Sequence, residues 1–150
     1  MLSSFVVPIG GLIQWNLSQK DRNASILTAG ILLTLIPIVR HGRLAMLDGS
    51  QLSLIALLWL FLVSIRNKDS DKFKFLGAGF SSGLMLLLKA PLLIPALIAC
   101  LLPIHINRKF PFRIDFYFLK WFILGISPGI AWHLYSGINR GVGALWLWWG

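Results

Sequence analysis

The chain has 150 residues, of which 57% are hydrophobic and only 13% charged, with a formal net charge of +9. A water-soluble domain carries about 25% charged residues, so composition excludes an ordinary soluble domain and points to an integral membrane protein. The excess of positive charge does not read as a nucleic-acid surface. Its basic residues stand in small clusters between apolar runs, such as Lys20/Arg22, Arg66/Lys68/Lys72/Lys74 and Arg108/Lys109/Arg113, and no basic face with interleaved aromatics is present.

The apolar runs are continuous and rich in Leu, Ile and Ala, without the period-2 alternation of an outer-membrane barrel. Helices are then the way to satisfy the backbone in lipid. The expected fold is all-α: a single domain over residues 1–150, a polytopic transmembrane helix bundle of about six membrane segments. All five acidic residues are Asp, and the single Cys100 offers neither an internal disulfide nor a cysteine zinc site; no metal site is expected.

The first segment, Leu2–Leu17, lacks the basic n-region and A-x-A-like cleavage site of a signal peptide. It reads as a short membrane helix interrupted by Pro8, Gly10 and Gly11. The following segments are Ala24–Val39, Leu52–Ile65, Phe75–Leu88, Pro91–Ile106 and Phe116–Leu134. Most fall short of the ~20 residues that span a ~30 Å hydrocarbon core, a mismatch that local bilayer thinning or helix association can absorb. The stretch 75–106 would run about 48 Å as one straight helix. A helical hairpin bent near Lys89–Pro91 fits better, because Pro91 suits a first helical turn and biases Ala90 away from helix.

Charge sets the orientation. If all six segments cross, Lys20/Arg22, the 66–74 loop and the 107–120 stretch share one side and hold ten of the fourteen Lys and Arg; Arg40, Arg43, Lys89 and Arg140 fall on the other. The positive-inside rule makes the first side cytoplasmic. Gly79 with Gly83, and Gly125 with Gly129, have the spacing of close helix packing in lipid. Trp146, Trp148 and Trp149 form an aromatic cluster suited to an interface.

On the external side, polar groups gather in Arg40-His41-Gly42-Arg43-Leu44-Ala45-Met46-Leu47-Asp48-Gly49. The plain reading is that Arg40 and Arg43 snorkel to head groups while Asp48 caps the next helix. The sharper reading is a site for an anionic lipid phosphate, which guanidinium groups grip in bidentate fashion. Asp48 could then orient an arginine, hold a metal or accept a proton, and Lys89 would add charge at the same face.

The run Arg40–Gly49, RHGRLAMLDG, followed by an apolar helix, resembles a segment of the bacterial protein-mannosyltransferase and aminoarabinose-transferase family of GT-C glycosyltransferases. The later run GAGFSSGLMLLLKAPLLIPALI resembles that family's Gly-rich helix, Lys-Gly-Pro-type turn and Leu/Pro-rich helix, with Ala90 in place of the middle Gly. Ser127-Pro128-Gly129-Ile130-Ala131-Trp132-His133 is a third, weaker likeness. The resemblance covers roughly residues 10–135. It implies a multi-pass enzyme of the bacterial plasma (inner) membrane that moves a sugar from a polyprenyl-phosphate donor to an extracytoplasmic acceptor. Asp48 matches the family's Asp of this loop, in a supporting catalytic role. Lys89 matches its Lys before Pro and, with Arg40 and Arg43, would bind substrate.

The family's first transmembrane helix, its large external loop with the acidic catalytic motif and its carboxy-terminal helices have no counterpart here. On the resemblance, the chain is expected to be a central membrane segment of such an enzyme, incomplete on its own, from a truncated or degenerate gene. Membrane lipid and the sugar donor are the partners implied, with no nucleic acid. The alternative is a small non-enzymatic multi-pass protein, a transporter or assembly subunit. No inverted repeat is visible and no ionisable residue falls mid-span, which disfavours transport.

Overall fold

The structure is a computed structural model and describes residues 5–34, 47–65, 71–106, 114–141 and 143. These residues form six α-helices and no strand: α1 (Val6–Leu17), α2 (Arg22–Thr34), α3 (Leu47–Val63), α4 (Lys72–Leu88), α5 (Leu93–Ile106) and α6 (Phe116–Arg140). The all-α class and the helix order agree with the sequence.

Local chemistry explains the boundaries. Pro8 falls in the first turn of α1, where its missing N–H costs nothing. The α1–α2 turn puts Gln19 and Lys20 at positive φ and closes with the Lys20 N–H donating to the Trp15 carbonyl at 2.9 Å. Asp21 then caps α2, its Oδ1 accepting from the backbone N–H groups of Asn23 at 2.9 Å and Ala24 at 3.3 Å. At the far end of α4 the helix stops at Leu88. Lys89 is extended, and a 3-10 turn, Ala90–Leu92, leads into α5 with Pro91 in its opening turn. Asp115 caps α6 by accepting from the Phe118 N–H at 3.0 Å.

Three helices begin before their apolar runs do. α2 starts at Arg22 rather than Ala24, α3 at Leu47 rather than Leu52, and α4 at Lys72 rather than Phe75. Reading apolar runs stops at the first polar residue, whereas a helix continues through polar residues near a surface. Asp48 therefore lies inside the first turn of α3 and not in a loop ahead of it. α6 likewise runs six residues beyond Leu134, to Arg140.

α4 is the centre of the bundle, packed between α3 and α6, while α1 joins α3 to α2. The core comprises Leu58 and Leu62 of α3, Phe75, Ala78, Met85 and Leu86 of α4, Ala90, Leu93, Ala96 and Cys100 around α5, and Phe118, Phe122 and Ile126 of α6. α3 and α4 are antiparallel: Phe61 lies against Gly77, Lys74 Nζ reaches the Ser64 carbonyl, and Gln51 reaches Lys89. α4 and α6 run parallel, since Gly79 meets Gly125 and Gly83 meets Gly129. A Cβ on Gly129 would stand 2.6 Å from the Gly83 carbonyl oxygen, and one on Gly125 would stand 2.8 Å from the Phe80 nitrogen. Glycine is required at this contact because backbone meets backbone.

Beside its large apolar core the bundle buries small residues at one helix contact and leaves many large aliphatic side chains uncovered. Gly79, Ser81, Ser82, Gly83, Gly125, Gly129 and Ser136 are buried. Ile94, Ile98, Leu102 and Ile106 form an uncovered stripe along α5, and Leu119, Ile123, Leu124, Ile130, Leu134 and Ile138 are uncovered on α6. α2 buries no residue at all. The buried serines satisfy their hydroxyls within their own helix, Ser81 donating to the Gly77 carbonyl and Ser82 to that of Ala78, both at 2.9 Å.

No helix among the described residues is long and apolar enough to cross a membrane. The longest of α1 to α5 has 17 residues, about 25 Å of rise. α6 has 25 residues but carries Lys120, His133, Asn139 and Arg140 along its length.

Candidate functional site

One end of the bundle unites the start of α3 with the α4–α5 turn. Gln51, in the second turn of α3, is buried, with 1% of its surface exposed. Its Nε2 donates to the backbone carbonyl of Lys89 at 3.1 Å. That carbonyl also accepts from the Leu92 N–H at 3.2 Å, so the turn is tied both to itself and to α3. Gln51 Oε1 is buried without a hydrogen-bond partner.

Asp48 lies three residues before Gln51, one helical turn or about 4.5 Å along the axis. Its helical position therefore falls at the end of the bundle where Lys89 turns the chain. Arg40 and Arg43, the other two residues expected to bind substrate, lie outside the described residues, as do His41 and the terminal tryptophans. Lys89 is at the surface of the turn. The amino terminus of α3 lies at this same end. The exposed ammonium of Lys89 favours an anion such as phosphate at this surface. Of Asp48 only the backbone position, in the first turn of α3, is described.

The parallel register of α4 and α6 brings a third element toward this end. Gly83 and Gly129 are level, so His133, four residues past Gly129, stands near the height of the last turn of α4. Its Nδ1 lies 3.0 Å from the Gly129 carbonyl, and Trp132 and Tyr135 pair beside it with ring centroids 6.1 Å apart. No group of three or more His, Cys, Asp or Glu that could hold a metal occurs among the described residues.

Gln51 is the residue that reading the sequence passes over. It stands at the edge of an apolar run, SQLSLIALLWL, where an average over the window hides it. The signal was its solitude: a buried amide in an apolar helix is costly unless it has a partner.

Comparison with protein-family models, with curated proteins and with solved structures finds no match to this chain.

Proposed function

We propose that the chain is a multi-pass membrane protein, the membrane-embedded part of a GT-C-type glycosyltransferase that uses a polyprenyl-phosphate sugar donor. The observation that carries the membrane part is the uncovered aliphatic surface: glycines sit at the closest approach of α4 and α6 while isoleucines and leucines of α2, α5 and α6 face outward. Apolar patches of that extent on a monomer mark a membrane or a large partner, and small residues at helix contacts are the packing rule in lipid. Helices of 12 to 17 residues are compatible with a thinned bilayer or with extension at their flanks.

The glycosyl-transfer reading draws support from the start of α3, where the first GT-C-like stretch ends, standing beside the Lys89-Ala90-Pro91 turn of the second. The start of α3 with Asp48 is joined to the Lys89-Ala90-Pro91 turn by the Gln51 amide. In such a reaction the bond from the anomeric carbon to the phosphate oxygen breaks as the acceptor oxygen attacks. Negative charge grows on the departing phosphate, where Lys89 and the α3 terminus would stabilise it. Asp48 would orient a cation or assist acceptor deprotonation.

The test is binding of a polyprenyl phosphate to the chain purified in detergent, against the corresponding polyprenol. Retention of the phosphate form at least about tenfold above the alcohol, weakened by Lys89→Gln, is expected from a charge-assisted contact. Equal retention of the two lipids would remove the donor-site reading.

A further inference from the structure

We propose that Lys72, Lys120 and Trp121, at the opposite end of the bundle from Lys89, bind the phosphate of an anionic phospholipid headgroup. This rests on the membrane placement proposed above but not on glycosyl transfer.

The cluster is built by two helices. Because α4 and α6 run parallel, their amino-terminal ends lie side by side. Lys72 opens α4, and Lys120 stands in the second turn of α6. Both ammonium groups approach one ring: Lys72 Nζ is 6.0 Å and Lys120 Nζ 5.8 Å from the Trp121 centroid. A ring face attracts a cation, and Lys72 also lies 5.6 Å from the Phe73 ring; two cations gathered about one indole repel each other, and an anion would relieve that repulsion. Among the described residues a third lysine at this end is already engaged. Lys74 pairs with Asp71 at 2.9 Å and donates to the Ser64 carbonyl at 2.5 Å.

A second observation points to the same ligand. The indole N–H of Trp121 is buried and has no hydrogen-bond acceptor. A phosphate oxygen that displaced the side chains covering this N–H would supply one. The rest of the cluster is aromatic: Tyr117 meets Trp121 edge-on at 6.3 Å, and Phe75 meets Tyr117 at 6.1 Å. Aromatic rings beside lysines at helix ends are the pattern of a membrane interface. Basic pockets between helices on the cytoplasmic side hold lipid phosphates. The charge asymmetry of the sequence assigns this end to that side.

The experiment uses the full chain in a neutral detergent, titrated separately with phosphatidylglycerol, phosphatidylcholine and inorganic phosphate, with bound molecules counted by native mass spectrometry. Phosphatidylglycerol should be retained over phosphatidylcholine, with free phosphate bound weakly. A lysine near an anionic headgroup accounts for about a fivefold change in affinity, so Lys72→Gln with Lys120→Gln should cost about 25-fold. Lys72→Arg with Lys120→Arg should restore most of it, and Trp121→Phe should weaken binding while keeping the ring. Helicity of each variant is followed by circular dichroism, and the arginine pair guards against loss through misfolding. An unchanged preference in the glutamine double variant would overturn the site. Free phosphate bound as tightly as the lipid would overturn the lipid assignment. Extraction of the chain from vesicles by alkaline carbonate would instead defeat the membrane placement, which keeps the two failures apart.

Discussion

Gly125→Ala is the sharpest perturbation of the bundle. A methyl group on Gly125 would meet the Leu76 carbonyl oxygen, the Phe80 nitrogen at 2.8 Å and the Gly79 Cα at 2.9 Å. All three are backbone atoms of α4, so no side chain can turn aside. Restoring ordinary contact requires α4 and α6 to separate by about 1 Å, and a gap of that size forfeits about a quarter to a half of each dispersion contact it opens. Replacing a helical glycine by alanine returns up to about 1 kcal/mol of helix propensity. Overpacking of this kind costs about 1–3 kcal/mol, and the net expectation is destabilisation. Gly30 supplies the control, since a Cβ there meets nothing within 4 Å; Gly30→Ala should hold or raise stability. Gly83 is intermediate, with Ile126 O at 3.3 Å. Thermal unfolding in detergent micelles, followed by far-ultraviolet circular dichroism, should rank the variants Gly30→Ala, Gly83→Ala, Gly125→Ala from most to least stable. A Gly125→Ala protein that melts with or above the wild type would refute the backbone contact of α4 with α6.

Gln51→Leu removes the bond to Lys89 but also the buried, unpartnered Oε1; the two effects offset, and the stability change should stay within about 1 kcal/mol. Gln51→Ala opens a cavity instead and should cost about 2 kcal/mol or more, so equal melting of the two variants would count against a packed Gln51. For topology, Asp48→Cys should react with an impermeant maleimide added to intact cells and Asp69→Cys should not; the reverse pattern would invert the orientation. Cys100 is buried at 3% exposure and should contribute no background label. On the proposed reading, the 150-residue chain alone should show no detectable sugar transfer from a polyprenyl-phosphate donor, because base catalysis contributes about 10²–10⁴-fold and the acidic catalytic loop of the family it resembles has no counterpart in this sequence. Turnover that disappears in Asp48→Asn would prove that expectation wrong.

Much of this fold is legible from local chemistry. Pro91 after Lys89-Ala90 breaks the 75–106 run at the Lys89–Leu92 turn, although the two helices it separates hardly pack on each other as a hairpin would; Asp115 ahead of Phe116 opens α6 as an N-cap should. The glycine pairs at 79/83 and 125/129 announce close packing. That they pack on each other, in parallel, is a three-dimensional fact that spacing within either helix does not contain. Helix starts were displaced because apolar runs record where side chains leave water, whereas the backbone of α3 is helical from Leu47 and that of α4 from Lys72. The link from Gln51 to Lys89 joins residues 38 apart in the chain. It arises from the antiparallel register of α3 and α4, which no motif at either end encodes. The same holds for the convergence of Lys72 and Lys120 on Trp121.

The central claim is that the end of the bundle bearing Asp48 and Lys89 receives the phosphate of a polyprenyl donor. Photocrosslinking tests it most directly: a polyprenyl phosphate carrying a diazirine next to the phosphate is irradiated with the detergent-purified chain, and the labelled peptides are mapped by mass spectrometry. Label should concentrate on the start of α3 and the Lys89–Leu92 turn, fall in Lys89→Gln, and persist in the Lys72→Gln/Lys120→Gln variant. Label confined to the Lys72/Lys120 end, or spread evenly over the outward faces of α2, α5 and α6, would contradict a donor site at Lys89.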